Sequence, residues 1–367
     1  MSYFEENIEL LYALQTKSYE AQVNDTPVTI KPIPDSKEGM RLDPRVYTWR
    51  KEASEKDNPL ATCEEVPVDL VRQTPAYPSI DIVGDAVTVT EQSITTRNGQ
   101  TPIFILKPEG GAKVKQAMLF IHGGAFIAGC TEVCIPFCKI IAKEADCIVI
   151  GVDYRLAPEH YFPVGLYDCY DTFCYMADHS AELGIDPNKL TVGGDSAGGT
   201  LALGVTMLEQ EAVKSGKLSA NRVKYQALVY PGVLVDNLRL PDYKWKYSVY
   251  EIPDEDELAM GAALSLKMMT AEMPRLYMGK EEHVTEPLAA PLCAEDLSYM
   301  PMTLTTICEY DYLRLQDEAF VRKLTREGVK NRGILYKGMD HEYIDRVGYC
   351  PQAYDTAMEI VRDLGRI

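Results

Sequence analysis

From residue 117 onward, short apolar runs alternate with longer stretches whose apolar positions recur every three or four residues. The runs fall at 118–121, 148–152, 190–192, 227–230, 304–308 and 334–336, and the helical patterns at 136–145, 164–181, 201–213, 316–327 and 353–364. Continuous apolar strands separated by amphipathic helices predict an α/β protein, a mostly parallel central sheet flanked by helices, because such strands are buried on both faces. Upstream, 87–90 and 102–106 read as strands, with Asn98-Gly99 supplying a tight turn between extended segments. The sheet is expected to begin there. Residues 1–80 carry few strand signals, many charges, several prolines and one amphipathic helix over 5–15, and read as an N-terminal extension rather than sheet. Residues 236–290 break the rhythm; within them Asp254-Glu255-Asp256-Glu257 precedes an Ala, Leu and Met-rich run, a helix with acids in its first turn. The expected organisation is an extension (1–80) contributing to a helical cap, a first core segment (81–235), a cap insertion (236–290) and a second core segment (291–367).

Composition narrows the partners. Thirty-seven Lys and Arg against 55 Asp and Glu give a net charge of −18, which argues against nucleic acid or an anionic membrane surface. The start, Met1-Ser2-Tyr3-Phe4-Glu5-Glu6, lacks the basic region and apolar core of a secretory signal, and no run reaches membrane-spanning length, so a soluble cytoplasmic protein is expected. Ten cysteines scattered through apparent core elements suit a reducing compartment. Cys130, Cys134 and Cys138 share one helix face, but apolar residues and no nearby histidine surround them, so buried reduced thiols are expected rather than a metal or redox site.

The chemistry centres on Gly194-Asp195-Ser196-Ala197-Gly198, a Gly-x-Ser-x-Gly pattern between a β-branched run and a helical run. In a strand-to-helix turn of that kind the serine is forced into a strained conformation with its hydroxyl exposed, and the glycines remove Cβ atoms that would collide. With glycine at about 7% of residues, this pattern arises by chance in roughly one chain in ten of this length, so alone it decides little. Upstream, His122-Gly123-Gly124-Ala125-Phe126 follows the 118–121 strand, where small residues let backbone amides approach a substrate as an oxyanion site requires. A simple tight turn explains Gly-Gly equally well when taken alone.

Between these lies Asp153-Tyr154-Arg155-Leu156-Ala157-Pro158-Glu159. With HGGA, YRLAPE and GDSAGG in this order, the chain resembles the hormone-sensitive-lipase-like family of α/β-hydrolases from about Gln116 to the C-terminus. Ala125 replaces the commoner third glycine, and Cys130 and Gly193 stand where small polar and Ser or Ala residues are usual. The resemblance implies an α/β-hydrolase fold with a helical cap and a triad in the order Ser, acid, His. Ser196 is then the nucleophile. His341, after the last strand in Gly338-Met339-Asp340-His341, is the histidine with the right chain order. Asp311, just past the penultimate strand, is the acid; Asp317, displaced by the intervening Leu315-Gln316, competes but lies far enough into a helix for a capping or solvent role. Amides of Gly123, Gly124 or Ala125 together with Ala197 are candidates for the oxyanion site. His122, Asp195, Arg155 and Glu159 are assigned support: Asp195 bracing the elbow, Arg155 pairing with a nearby carboxylate. Tyr230-Pro231-Gly232 either lines the pocket or ends a strand.

The implied activity is carboxylic ester hydrolysis through an acyl-enzyme, on short-chain acyl esters, with no metal and no cofactor. Its partner is a small-molecule ester; a homo-oligomer stays open. An amidase or aryl-formamide hydrolase would use the same triad, and a non-catalytic ligand-binding module on this fold would be marked by tight binding without turnover.

Overall fold

The computed structural model describes residues 3–36, 41–56, 63–74, 77, 79–280 and 283–367; Met1 and Ser2 of the acidic N-terminus lie outside the described residues. Ten strands form one sheet: β1 (Tyr19–Val23), β2 (Thr26–Lys31), β3 (Val87–Thr96), β4 (Gly99–Pro108), β5 (Lys115–Ile121), β6 (Ile148–Val152), β7 (Ile185–Asp195), β8 (Val223–Val229), β9 (Met302–Cys308) and β10 (Asn331–Tyr336). The helices are α1 (Tyr3–Thr16), α2 (Pro44–Ser54), α3 (Val68–Gln73), α4 (Thr131–Glu144), α5 (Val164–Asp178), α6 (Ser180–Leu183), α7 (Ala197–Lys214), α8 (Glu257–Ala263), α9 (Lys267–Leu276), α10 (Arg314–Arg326) and α11 (Pro351–Leu364).

Strand order is β1-β2-β10-β9-β8-β7-β5-β6-β4-β3. The block from β2 to β6 is parallel throughout, and antiparallel strands close both edges. All six apolar runs downstream of residue 117 lie in its interior. Every residue of Met118–Ile121 and of β6 is buried, as a sheet covered on both sides requires. Helix α4 packs against α11 and α1 against α11, while α5 packs against α7.

The sheet does not begin at residue 87. β1 and β2 form a hairpin whose turn residues, Asn24 and Asp25, both have positive φ (47° and 62°), the backbone of a two-residue turn matched to strand twist. β2 then runs parallel to β10, pairing Ile30 with Leu335. Lys31, 2% exposed at the end of β2, locks this hairpin down: its Nζ lies 2.9 Å from Asp355 and 2.8 Å from Glu359 of α11. The extension therefore divides. Its first part joins the core, and its later part packs on the 236–290 insertion through α2 against α8, Arg41 beside Asp256 (3.9 Å) and Glu65 beside Arg275 (3.5 Å).

The insertion holds a short 3-10 turn (Tyr247–Tyr250), α8 and α9. Asp256 caps α8 by accepting from Ala259 N at 3.1 Å, with Glu257 in the first turn, so the acidic run starts a helix as its pattern predicts. Tyr277, just after α9, stacks on Phe126 with centroids 3.7 Å apart, which sets the insertion over the turn that follows β5. No two cysteines among the described residues form a disulfide; Cys134 and Cys138 are buried in α4, where burial pushes both thiols well above the ordinary range.

Candidate active site

Because neighbouring parallel strands end at one edge of the sheet, the loops that follow them meet there. β7 ends at Asp195 and α7 starts at Ala197, leaving Ser196 at the bend with φ 50° and ψ −120°. That backbone is strained for any residue with a Cβ, typically by about 1–3 kcal/mol. It is held by Ser196 N donating to Val229 O at 2.9 Å and Gly232 N donating to Ser196 O at 3.2 Å. A Cβ on Gly194 would come within 2.5 Å of Gly198, and one on Gly198 would press into the carbonyl of Ile121. These two glycines let the elbow close against β5.

β9 and β10 pair Cys308 with Tyr336 at their ends, so the loops carrying Asp311 and His341 emerge side by side. His341 Nδ1 donates to Asp311 Oδ2 at 2.6 Å, and His341 Nε2 lies 2.9 Å from Ser196 Oγ. All three side chains are buried. Asp311 Oδ1 also accepts from Leu313 N at 2.9 Å, and Tyr250 of the insertion donates its hydroxyl to Asp311 O at 2.6 Å. Burial pulls the His341 pKa down, but the Asp311 charge and hydrogen bond outweigh it, leaving the imidazole above its ordinary value. The Tyr230 ring, fully buried, packs 4.6 Å from the imidazole.

In the turn after β5, the Gly123 amide differs from those of Gly124 and Ala125. Gly123 N donates to Asp195 Oδ1 at 2.9 Å, so this amide is already committed. The amides of Gly124, Ala125 and Ala197 have no acceptor among the described residues, and Ala125 adopts φ 51°. Asp195 thus ties the elbow to the turn; burial raises its pKa to about 6. His122 donates from Nδ1 to Gly123 O at 2.7 Å and stacks on Tyr154 at 4.4 Å, while burial lowers its pKa and favours the neutral ring.

Arg155 and Glu159 do not reach the serine or each other. Arg155 pairs with Asp168 at 2.8 Å and reaches Thr101 and Gln100 O, fastening the 153–159 segment to the β3–β4 hairpin. Glu159 pairs at 2.7 Å with Arg72 of α3. Arg72 was not legible as a site residue, yet its Nε donates to Ile127 O at 2.7 Å and its Nη2 to Ala157 O at 2.9 Å, bracing the 123–127 turn from behind. Arg346 and Arg50 were missed likewise. Both bind the Asp340 carboxylate, and Arg346 also donates to His341 O at 2.7 Å. Only the two acidic-basic oddities around His341, Asp340 and Arg346, offered a hint in the sequence.

Asp317 has neither a capping nor a solvent role. It is fully buried, neither carboxylate oxygen has a hydrogen-bond partner among the described residues, and burial together with the Asp311 charge raises its pKa well above the ordinary range.

Comparison with known proteins agrees with this geometry. Residues 118–345 match the family described as an alpha/beta hydrolase fold. An arylesterase of Saccharolobus solfataricus is 31% identical over 254 residues, 69% of this chain and 76% of that protein. An ethyl acetate hydrolase of Pseudomonas putida is 29% identical over 277 residues, 74% of this chain and 80% of that protein. The solved structure of a hyperthermophilic esterase from Pyrobaculum calidifontis superposes with a TM-score of 0.70 at 27% identity, covering 89% of this chain and 99% of that one. An α/β-hydrolase fold is therefore shared along most of the chain. The protein belongs to the hormone-sensitive-lipase-like family of α/β-hydrolases. It is a serine ester hydrolase of the carboxylesterase type, and no helix among the described residues is long and apolar enough to cross a membrane.

Proposed function

We propose that the protein hydrolyses short-chain carboxylic esters through an acyl-enzyme on Ser196. The observation that carries this reading is the unbroken hydrogen-bonded line from Asp311 through His341 to Ser196, at a strained turn facing unused amides. His341 Nε2 takes the Ser196 proton as Oγ attacks the ester carbonyl. Asp311 keeps the proton on Nδ1 and stabilises the imidazolium. The oxyanion is received by amides of Gly124, Ala125 and Ala197, and removing one such donor costs about 3 to 4 kcal/mol of barrier. His341 then protonates the leaving alcohol. In the second half, His341 takes a proton from water as its oxygen attacks the acyl carbonyl, and returns that proton to Ser196 Oγ as the acid leaves.

Residues 236–290, with the α2 to α3 region, serve as the cap. Tyr250 from the cap holds the Asp311 main chain, so the lid and the acid loop are one mechanical unit. A short acyl preference is supported by the similarity to an ethyl acetate hydrolase. The test is a series of p-nitrophenyl esters from acetate to decanoate, with matched anilides, alongside labelling by an organophosphate. Turnover falling with acyl length, together with label on Ser196 and none on a folded Ser196→Ala protein, is expected. Faster anilide turnover, a long-chain optimum, or labelling that persists in Ser196→Ala overturns the reading.

A further inference from the structure

Away from Ser196, a cavity of about 590 Å³ lies between the β1–β2 turn, the 240–249 segment and α10. Its charge runs against that of the chain. Lys244, Lys246, Arg322 and Arg326 face it, against Asp25, Asp242 and Glu318, in a protein of net charge −18.

The carboxylates are largely spoken for. Glu318 accepts from Arg314 Nε and from Asn24 Nδ2, both at 2.8 Å, and Asp242 pairs with Arg326 at 2.8 Å. Arg322, Lys244 and Lys246 have no ion-pair partner among the described residues. Arg322 is half-buried, and three of its five N–H groups go to neutral acceptors: Asn24 O at 3.0 Å, Thr26 Oγ1 at 2.6 Å and Asp242 O at 3.1 Å. A guanidinium fixed in place, partly desolvated and with no carboxylate in ion-pair contact among the described residues is poised for an anion, since charge-assisted hydrogen bonds are about twice as strong as neutral ones. Burial lowers its pKa, and the nearby charges of Glu318, Asp242 and Asp25 only partly offset this. Leu240, Tyr243 and Val249 add apolar wall, and the volume falls within the range of about 300–1,000 Å³ typical of small-molecule sites, far more than a bare inorganic anion fills.

We propose that this cavity is a second, non-catalytic site for a small organic carboxylate, its anionic head on Arg322 and the two lysines and its apolar body against Leu240, Tyr243 and Val249. The site is joined to the acid loop from two sides. Val249 precedes Tyr250, which donates to Asp311 O, and Trp245 Nε1 donates to Tyr312 O at 3.2 Å. On the other side, α10 gives Leu315 and Glu318 to the cavity and starts directly after that loop. Occupancy therefore changes turnover, a consequence that rests on Asp311 acting as the triad acid; the binding itself does not.

Calorimetric titration of the full-length protein with sodium benzoate, inorganic phosphate and benzamide tests the site. Expected are one saturable benzoate site, weaker phosphate binding, no benzamide binding, and a Kd raised about tenfold or more by Arg322→Gln and by Lys244→Gln/Lys246→Gln. The exposed lysines keep the test valid should Arg322→Gln fail to fold. Equal benzoate affinity in the lysine variant, phosphate bound more tightly than benzoate, or no saturable binding overturns the proposal. In p-nitrophenyl acetate assays benzoate should alter kcat in the native protein and not in the lysine variant. Purely competitive inhibition surviving in that variant places benzoate at Ser196 and overturns the second site, while binding without any change in kcat overturns the coupling.

Discussion

Asp311→Asn and Asp317→Asn are the same chemical change within one segment, and the structure assigns them opposite consequences. His341 Nδ1 lies 2.6 Å from Asp311 Oδ2, and in the proposed triad this contact fixes the tautomer that presents a bare Nε2 to Ser196. An amide there offers N–H groups to the ring and favours the wrong tautomer, a change that in a serine protease with this arrangement lowers kcat about 10⁴-fold. That loss corresponds to about 5.5 kcal/mol of barrier. Neither Asp317 carboxylate oxygen has a hydrogen-bond partner among the described residues, so Asp317→Asn should leave kcat within about tenfold of native, less than about 1.4 kcal/mol. Its signature lies in stability. Burial, the Asp311 charge and the Glu318 charge hold the Asp317 carboxyl protonated in the folded state. Above the ordinary carboxylate pKa of about 4 the unfolded chain releases this proton and the folded one does not, so native stability falls as pH rises, by at most about 1.4 kcal/mol per pH unit. Asn carries no such proton. The melting temperature of Asp317→Asn relative to native should therefore climb between pH 4 and pH 7, read by thermal unfolding at several pH values beside steady-state kcat. Comparable kcat losses in the two variants, or a stability difference that is flat or falling with pH, would refute the reasoning.

Three further outcomes are expected. The acid limb of kcat/KM should sit above the ordinary histidine value of about 6.5, since the Asp311 interaction outweighs burial at His341, and should move to lower pH in the residual activity of Asp311→Asn; a pH–rate profile reads both. Arg346→Lys removes the planar guanidinium whose Nη2 joins Asp340 to His341 O, so kcat should fall by about 10²-fold with KM nearly unchanged, whereas a rise in KM alone would point to substrate contact instead. Lys31→Met leaves Asp355 without its cation while Glu359 keeps Arg332, and should destabilise the fold by about 3–5 kcal/mol in urea unfolding; a loss below 1 kcal/mol would show that α11 does not depend on this pair.

The parallel strands and the pieces at Ser196, Asp311 and His341 were legible because each is a local pattern: apolar runs of strand length, glycines that permit one backbone shape, and polar residues just past strand ends. β1 and β2 escaped because an edge hairpin has one partly exposed strand and a polar turn. Their period is short, and Tyr19-Glu20-Ala21-Gln22-Val23 reads as surface until β10 supplies its neighbour's partner. Asn24-Asp25, two residues tolerant of left-handed backbone, was the signal available. Among the oxyanion candidates, nothing in Gly123-Gly124-Ala125 distinguishes the first amide; it is set apart only because Asp195, from another strand, occupies it. Asp317 was misread for a similar reason, since helical position sets a direction but not what covers it.

By itself the sequence determined the fold class, the strained turn at Ser196 and the placement of Asp311 and His341 just past strand ends, because steric limits and burial on both faces of a sheet act over a few residues. Tertiary structure decided which partners those groups have. Arg72, Arg50 and Arg346 reach the site from separate segments, Tyr250 arrives from the insertion, and the unpaired charge of Arg322 exists only where the hairpin, the insertion and α10 meet. Charge balance and amide availability belong to the space around a group, and that space is assembled from segments hundreds of residues apart.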